Sequence, residues 1–247
     1  MNEYSLLVLA TQYSFTAAFA AMAAGTLYFM MERNNLTPEY SPVASLCAMV
    51  SLVAAINYFV MKDTVGLDGQ AASLAGFATD YRYIDWLITT PLLLAVLPVL
   101  LGRSRMNNGM MARLLAVDVL MIVVGYIGEV SINRAGGGTM TGWWCLLISM
   151  ACWFYILYVL FAEIGRALEG ADSYLKSSLG FLRTYLVISW VVYPLGYLIA
   201  VLDLSDNLLI GREMVYCIAD VIAKVGFGMA AVSVAKRLSA MQWEARS

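Results

Sequence analysis

Seven long apolar runs divide this 247-residue chain and constrain its fold more than any other feature. Each run approaches or exceeds the roughly 20 residues that an α-helix needs to cross a bilayer. Only 13% of the residues are charged, whereas soluble globular domains carry about 25%. The sequence therefore predicts an all-α fold, a seven-transmembrane-helix bundle that forms a single domain over residues 1–247. The predicted spans are 5–31, 42–61, 81–102, 110–132, 143–163, 183–202 and 212–235.

The residue types that are missing or sparse exclude several classes of site. The chain has no histidine, which excludes His-ligated haem, most zinc sites and His-based catalytic triads. Its four cysteines fall within apolar runs and are predicted to be buried and free. A glycine-rich phosphate loop is absent, and the net charge of −2 gives no basic surface for nucleic acid. We therefore expect neither an enzyme nor a nucleic-acid-binding protein.

The cations between the spans predict the orientation of the bundle. With the N-terminus outside, ten Lys and Arg residues fall on the cytoplasmic side and three on the outer side. Because positive residues favour the cytoplasmic face, we expect the N-terminus outside and the C-terminus in the cytoplasm of a multi-pass protein of the cell membrane. The cytoplasmic set is Arg33, Arg103, Arg105, Arg113, Arg166, Lys176, Arg183, Lys236, Arg237 and Arg246, and the outer set is Lys62, Arg134 and Arg212.

Charged residues inside the predicted spans indicate a functional interior. A charge near the bilayer centre costs about 3 kcal/mol, so each one needs a partner or a purpose. Lys224 lies far from both ends of the seventh span, and Asp220 precedes it by one helical turn on the same face. For these two residues alone, a structural salt bridge and a desolvated amine that condenses with an aldehyde are both open. The other charged residues of this kind are Asp80, Arg82 and Asp85 near the start of the third span, and Asp118 and Glu129 in the fourth.

Two other spans carry side chains that favour the reactive amine. In the third span, the Thr89 hydroxyl lies one turn after Asp85 and is predicted to bond that carboxylate. An aromatic stripe by itself is more typical of core packing, but here two stripes with tryptophan accompany a buried lysine and two buried aspartates. The stripes are Trp86, Thr90 and Leu93 in the third span, and Trp190, Tyr193, Pro194 and Tyr197 in the sixth.

These segments resemble the microbial rhodopsins. RYIDWLITTPLLL, WVVYPLGY and DVIAKVGFG are similar to the third, sixth and seventh helices of that family, and WFYILYVLF to the fifth. VGYIGE at 124–129 resembles the proteorhodopsin and xanthorhodopsin branch. The likeness covers all seven spans and is weakest in the first. It implies a light-driven outward proton pump with all-trans retinal as its cofactor, in the lipid bilayer, with protons as the transported species and a homo-oligomeric assembly.

The resemblance also implies a role for each site residue. Lys224 holds the retinal as a protonated Schiff base, Asp85 is the primary counterion and proton acceptor, Asp220 is the second counterion, and Arg82 lies below them. Two positive and two negative charges then form a neutral quartet. In the implied pocket, Trp86 and Trp190 sandwich the polyene, Tyr58 and Tyr193 donate hydrogen bonds to Asp220, and the remaining wall is Thr90, Leu93, Met121, Gly125, Ser149, Trp153 and Tyr197.

Two positions depart from the family pattern. Val96 stands where the common pumps carry a carboxylic proton donor, and Asn57 where the proteorhodopsin branch usually has a histidine that bonds the acceptor. Proton uptake from the cytoplasm would then proceed without an internal carboxylic donor. If another group does donate the proton, Glu163 is the next candidate. Asp118 is expected near the ring end of the pocket. The candidates for proton release are Glu129 and Glu213.

Two other functions stay open on the sequence. A photosensor that signals through a separate transducer would suit a slow cycle without an internal donor. Ala223 argues against the haloarchaeal phototaxis type, which carries threonine just before the retinal lysine. A seven-helix receptor or transporter with an accidental buried ion pair is the third reading. The complete set of intramembrane charges favours a rhodopsin over it.

Overall fold

The computed structural model describes residues 3–65, 79–102, 104–105 and 107–245, and within these it contains seven helices long and apolar enough to cross a membrane. The seven predicted spans are thereby confirmed. The cations Arg103 and Arg246 lie outside the described residues. The helices are α1 (Glu3–Glu32), α2 (Ser41–Val65), α3 (Asp80–Leu101), α4 (Asn108–Ala135), α5 (Met140–Ala167), α6 (Ser173–Val201) and α7 (Asp206–Glu244).

The helices alternate in direction and form a closed bundle. Helices α1 to α5 each pack against the next along the chain, α6 packs against α4, α5 and α7, and α7 packs against α1. We call the end with residues 33–40, 168–172 and 245 the C-terminal end, and the end with residues 136–139 and 202–205 the N-terminal end. Large apolar side chains such as Leu27, Phe154 and Ile188 are exposed on the outside. This surface suits lipid, and the protein is a multi-pass integral membrane protein of the cell membrane.

Three helices depart from regular α geometry. Helix α6 is interrupted at Val191, because Pro194 has no N–H to donate to the carbonyl four residues earlier. Helix α5 contains a π-helical segment at Val159–Glu163, and α7 contains one at Ile222–Gly226, which carries Lys224. Such segments turn side chains to directions that a regular helix does not reach, and they often occur at functional sites.

Two predicted helix starts were wrong. Helix α6 begins at Ser173 rather than near 183, and α7 begins at Asp206 rather than near 212. Hydropathy detects the apolar part of a helix, whereas these first turns are polar and begin at capping side chains. Asp172 accepts the backbone N–H of Leu175, and Ser205 accepts that of Leu208.

The longer seventh helix changes the position of one counted cation. Arg212 was counted on the outer side as the first residue of the predicted span 212–235, but it lies six residues inside α7 and is 8% exposed. The orientation count on the outer side therefore loses one member, while the excess of cations at the C-terminal end persists. The four cysteines are buried and free, as predicted.

Candidate functional site

Lys224 is the centre of the buried charges. Of the four lysines, all within the described residues, it is the one whose side chain is buried, at 2% exposure. Its Nζ donates to the Oδ2 atoms of Asp85 and Asp220, the latter at 2.8 Å. Helix α3 supplies Asp85 and α7 supplies the other two residues. The structure thus brings together the lysine and both aspartates that the sequence singled out.

Asp220 is the more heavily bonded of the two aspartates. Besides Lys224, the hydroxyls of Tyr58 at 2.9 Å and Tyr193 at 2.5 Å donate to it, and so does the indole N–H of Trp86 at 3.4 Å. The two predicted tyrosine hydrogen bonds are present. Four donors around one carboxylate favour its ionised form.

Asp85 has fewer partners than predicted. Its Oδ2 contacts Lys224, whereas its Oδ1 has no hydrogen-bond partner among the described residues. The predicted bond from Thr89 to the Asp85 carboxylate was wrong, because the Thr89 hydroxyl donates to the backbone carbonyl of Asp85 at 2.9 Å. A threonine within a helix readily makes this bond to the carbonyl four residues earlier.

Asn57 does not join the acceptor. Its side-chain amide donates to the carbonyl of Val53 at 2.9 Å, and the contacts of the described residues include no bond from Asn57 to Asp85. The neighbouring Tyr58 is fully buried and bonded to Asp220. Successive residues of a helix point about 100° apart. Asn57 therefore points in a different direction from Tyr58, and its side chain is half-exposed.

An apolar cavity starts at Lys224 and runs between α3, α4, α5 and α6. Every residue predicted for the pocket wall lines it. Tyr58 does not line it, since its hydroxyl bonds Asp220 from the side of Arg82. The predicted lining residues are Trp86, Thr90, Leu93, Met121, Gly125, Ser149, Trp153, Trp190, Tyr193, Tyr197 and Lys224.

Part of this lining was not predicted from the sequence. Several of the missed residues are neighbours or one-turn neighbours of predicted ones, so helical spacing from Met121 and Ser149 could have found them. They are Tyr83, Ile122, Leu146, Met150, Tyr216 and Ala223, while Pro194, named in the stripe of the sixth span, also lines the cavity. At Gly125 an added Cβ would lie 3.3 Å from the Tyr83 ring. Glycine at position 125 therefore keeps the cavity open between α3, which carries Tyr83, and α4.

A second group of buried charges lies towards the N-terminal end. Arg82 donates from Nε to Glu213 at 2.7 Å and from one guanidinium nitrogen to the Tyr58 hydroxyl at 3.0 Å. Arg212 is paired with Glu213 at 3.0 Å and with Glu129 at 2.8 Å. The predicted neutral quartet is therefore incomplete, because the described buried cluster contains three basic groups and four carboxyl groups. The basic groups are Lys224, Arg82 and Arg212, and the carboxyl groups are those of Asp85, Asp220, Glu213 and Glu129.

A polar cavity of about 610 Å³ lies beyond this cluster at the N-terminal end. Arg212 is part of its wall, together with Asp80, Asp203 and Asp206. Because Arg212 bonds both glutamates on its inner side, the hydrogen bonds continue from Lys224 to the wall of this cavity. From Lys224 outwards, this chain of hydrogen bonds passes through Asp220, Tyr58, Arg82, Glu213 and Arg212.

The side of Lys224 towards the C-terminal end has few polar groups. Val96 is fully buried in the main apolar core. Asp118 is also buried, and one of its oxygens accepts the Thr90 hydroxyl at 2.7 Å beside the cavity. Glu163 lies further along, where it pairs with the exposed Arg113 at 2.8 Å. Between Asp118 and that end, the described residues include no buried acidic or basic side chain.

Comparison with known proteins decides the family. Residues 9–238 match the model of the family described as bacteriorhodopsin-like protein. The chain is a microbial rhodopsin. Green-light absorbing proteorhodopsin of gamma-proteobacterium EBAC31A08 is 27% identical over 231 residues, which cover 93% of this chain and 88% of that protein. Bacteriorhodopsin-I of Haloquadratum walsbyi is 30% identical over 210 residues, covering 84% of this chain and 80% of that one.

Solved structures agree with this family. The crystal structure of Exiguobacterium sibiricum rhodopsin is 47% identical, with a TM-score of 0.89, and covers 95% of this chain and 98% of that one. Xanthorhodopsin, described as a light-driven ion pump with a dual chromophore, is 30% identical, with a TM-score of 0.83, and covers 97% of this chain and 95% of that one.

Microbial rhodopsins carry a retinal chromophore, and the residues of this rhodopsin fit one. The cavity is lined mainly by aromatic and aliphatic side chains, which suits a polyene. A single buried amine, that of Lys224, lies at one end of it, and two carboxylates are in place to balance a positive charge there. Trp86 and Trp190 both belong to the wall, as the resemblance predicts.

Proposed function

We propose that this protein is a light-driven outward proton pump that binds all-trans retinal through Lys224 and works without an internal carboxylic donor. The observation that carries the proposal is the asymmetry around Lys224. A continuous polar chain leads from it to the cavity at the N-terminal end, while apolar side chains fill the opposite side. The relatives include proteins named proteorhodopsin and bacteriorhodopsin and one described as a light-driven ion pump.

The bound retinal would supply the absorption of light and a light-driven change in the direction and acidity of the N–H group formed at Lys224. Asp85 is the proposed acceptor of that proton. Its Oδ2 contacts Nζ of Lys224, so this carboxylate lies next to the proton to be transferred. Asp220, with four donors, remains the charged partner that holds the site together.

The proposed exit leads through Arg82, Glu213, Arg212 and Glu129. The buried cluster has four carboxyl groups but three basic groups, so one carboxyl can carry a proton without leaving a basic group unpaired. When Asp85 becomes neutral, Arg82 loses a nearby negative charge and is attracted more strongly towards Glu213. We propose that this shift releases a proton held within the Glu213, Arg212 and Glu129 group into the cavity that Arg212 lines.

The proposed entry begins in the cytoplasm at the C-terminal end. Val96 offers no proton, and Glu163 lies close to the surface in an ion pair with Arg113. A proton from solvent must therefore cross the apolar half, through transient water, before it reaches Lys224. This contrast between a polar and an apolar half, together with the cations at the C-terminal end, supports an orientation with the N-terminus outside.

Light-induced pH changes test this function. Cells that express the chain and receive all-trans retinal should acidify a weakly buffered medium under illumination, and a protonophore should abolish the change. The matched control is Asp85→Asn, which should form a coloured pigment and give no acidification. Alkalinisation would overturn the outward direction. A pigment with normal colour and no pH change would support the photosensor instead.

We propose that residues 1–247 form a single retinal-binding domain, since all described helices share one bundle. A homo-oligomer in the bilayer stays a prediction. Cross-linking in native membranes, followed by sizing of the products, would test it.

A further inference from the structure

The π-helical segment that carries Lys224 is contacted from α6 by a side chain outside the cavity. The hydroxyl of Tyr185 donates to the carbonyl of Ile222 at 3.1 Å. The same carbonyl accepts the backbone N–H of Phe227, five residues along the chain, which is the bond that closes the wide turn. Because a carbonyl in a wide turn tilts away from the helix axis, its second lone pair is open to a partner from a neighbouring helix.

Gly226 provides the space for this contact. A Cβ added at Gly226 would overlap the hydroxyl oxygen of Tyr185, and its next neighbour would be Tyr185 Cζ at 3.6 Å. The φ angle of Gly226 is −60°, so the backbone there accepts any L-residue. The glycine is therefore required for the close approach of the hydroxyl and not for its own conformation.

The two contacts flank the lysine. Ile222 lies two residues before Lys224 and Gly226 two residues after it, so Tyr185 spans the wide turn whose inner face carries the amine. The direction of that amine decides its distances to Asp85 and Asp220. In a membrane, backbone groups of an irregular turn are tolerated where a neighbouring helix satisfies them.

We propose that Tyr185 is a positioning residue, whose hydroxyl over Gly226 holds the π-helical segment so that Lys224 stays aligned with Asp85 and Asp220. The retinal part of this inference rests on the proposed function, whereas the contact itself is a property of the chain. Tyr185 bonds α7 at Ile222, on the C-terminal side of Asp220, and the described contacts include none between Tyr185 and either aspartate.

Amide hydrogen exchange of the full chain in lipid nanodiscs, with and without retinal, tests the contact. Tyr185→Phe keeps the ring that packs on Phe181 and Phe227 but removes the hydroxyl. Exchange in residues 222–228 should become about fivefold faster, the factor expected for losing one ordinary hydrogen bond. The control Tyr155→Phe changes another half-buried tyrosine, whose hydroxyl has no hydrogen bond among the described contacts, and should leave this segment unchanged.

A double variant makes the test specific. Gly226→Ala should also accelerate exchange in 222–228, because the new methyl group displaces the Tyr185 hydroxyl. In Tyr185→Phe/Gly226→Ala the overlap is gone, so exchange should be no faster than in Tyr185→Phe alone. The control Gly180→Ala adds a methyl group where nothing lies within 4 Å and should have no effect.

The pigment gives a second readout. Weaker alignment of Lys224 with Asp85 should shift the absorption maximum of Tyr185→Phe to longer wavelength, and hydroxylamine should bleach it faster than the unmodified pigment. Unchanged exchange in Tyr185→Phe, or additive effects in the double variant, would overturn the proposal. Because exchange is also measured without retinal, failure of the unmodified chain to form a pigment would refute the proposed function alone.

Discussion

The two halves of the bundle on either side of Lys224 differ in the side chains they bury. Towards the N-terminal end, Arg82, Arg212 and two glutamates form a hydrogen-bonded cluster that reaches a polar cavity. Towards the C-terminal end, Val96 and its neighbours form an apolar core. Under the proposed function, we expect the first half to conduct a proton through hydrogen bonds already present, and the second half to conduct one only after water enters or side chains rearrange. We therefore expect that, in the proposed cycle, entry of the proton is slower than its exit.

The largest effect is expected at the boundary between the halves. Lys224→Ala should abolish the visible absorption band when the protein is mixed with all-trans retinal, because no other buried amine is present among the described residues. Absorption spectroscopy measures this directly. Lys176→Ala, which changes an exposed lysine, is the control and should bind retinal normally. A normal band in Lys224→Ala would refute the whole interpretation of the site.

The first step into the polar half depends on Asp85. Asp85→Asn removes the negative charge that contacts Lys224, so the bound proton should be held less tightly and the absorption maximum should move to longer wavelength. Outward transport should stop. Spectra and light-induced pH changes of the same preparation provide the measurement. Continued pumping by this variant would assign the acceptor role to another residue.

The apolar half is tested at Val96. Without an internal donor, return of the proton depends on bulk proton concentration, so recovery of the initial absorbance after a flash should slow about tenfold for each pH unit where uptake limits it. Azide, a small permeant acid, should accelerate the recovery. Flash photolysis between about pH 6 and pH 9 measures this dependence of the recovery rate on pH.

A new carboxylate at this position should reduce the contrast between the halves. Val96→Asp should flatten the pH dependence if water reaches the side chain, and Val96→Asn, of equal size without an acidic proton, is the matched control. Fast recovery that is independent of pH in the unmodified protein would contradict the prediction and implicate another donor. Glu163 would then be the next residue to change.

A smaller effect is expected at the exit. Arg212→Gln removes the guanidinium that joins Glu213 and Glu129, so proton release into the medium should be delayed several-fold, while the absorption maximum changes little. A pH-sensitive dye after a flash reports the release. Arg134→Gln changes another arginine of the same cavity, one without a described ion pair, and should release normally. Equal delays in both variants would argue against the relay.

The smallest effect concerns colour alone. Leu93 lines the cavity and is 1% exposed. Leu93→Gln places a dipole against the polyene and should shift the absorption maximum to shorter wavelength, with outward transport retained. Leu92→Gln, on the adjacent residue outside the described lining, is the control. If the Leu93→Gln spectrum did not change, Leu93 would not face the chromophore.

The sequence by itself determined the seven spans, the central lysine with its two aspartates, and the predicted wall of the cavity. Span detection succeeded because a bilayer requires long apolar segments, which hydropathy reads directly. The wall could be predicted because residues such as Trp86, Thr90 and Leu93 follow helical spacing, and because the segments resemble a family. These signals are local in the chain.

Only the tertiary structure decided which partners the interior side chains choose. Arg212 meets Glu129 across 83 positions of sequence, and Arg82 meets Glu213 across 131. Local hydropathy placed Arg212 at the first position of the seventh span, and helical spacing gave Thr89 the wrong acceptor. Whether a side chain bonds its own helix, as Thr89 and Asn57 do, or a neighbouring helix, as Tyr185 does, depends on the rotation and ends of each helix. Those are set by packing between helices, which no local pattern encodes.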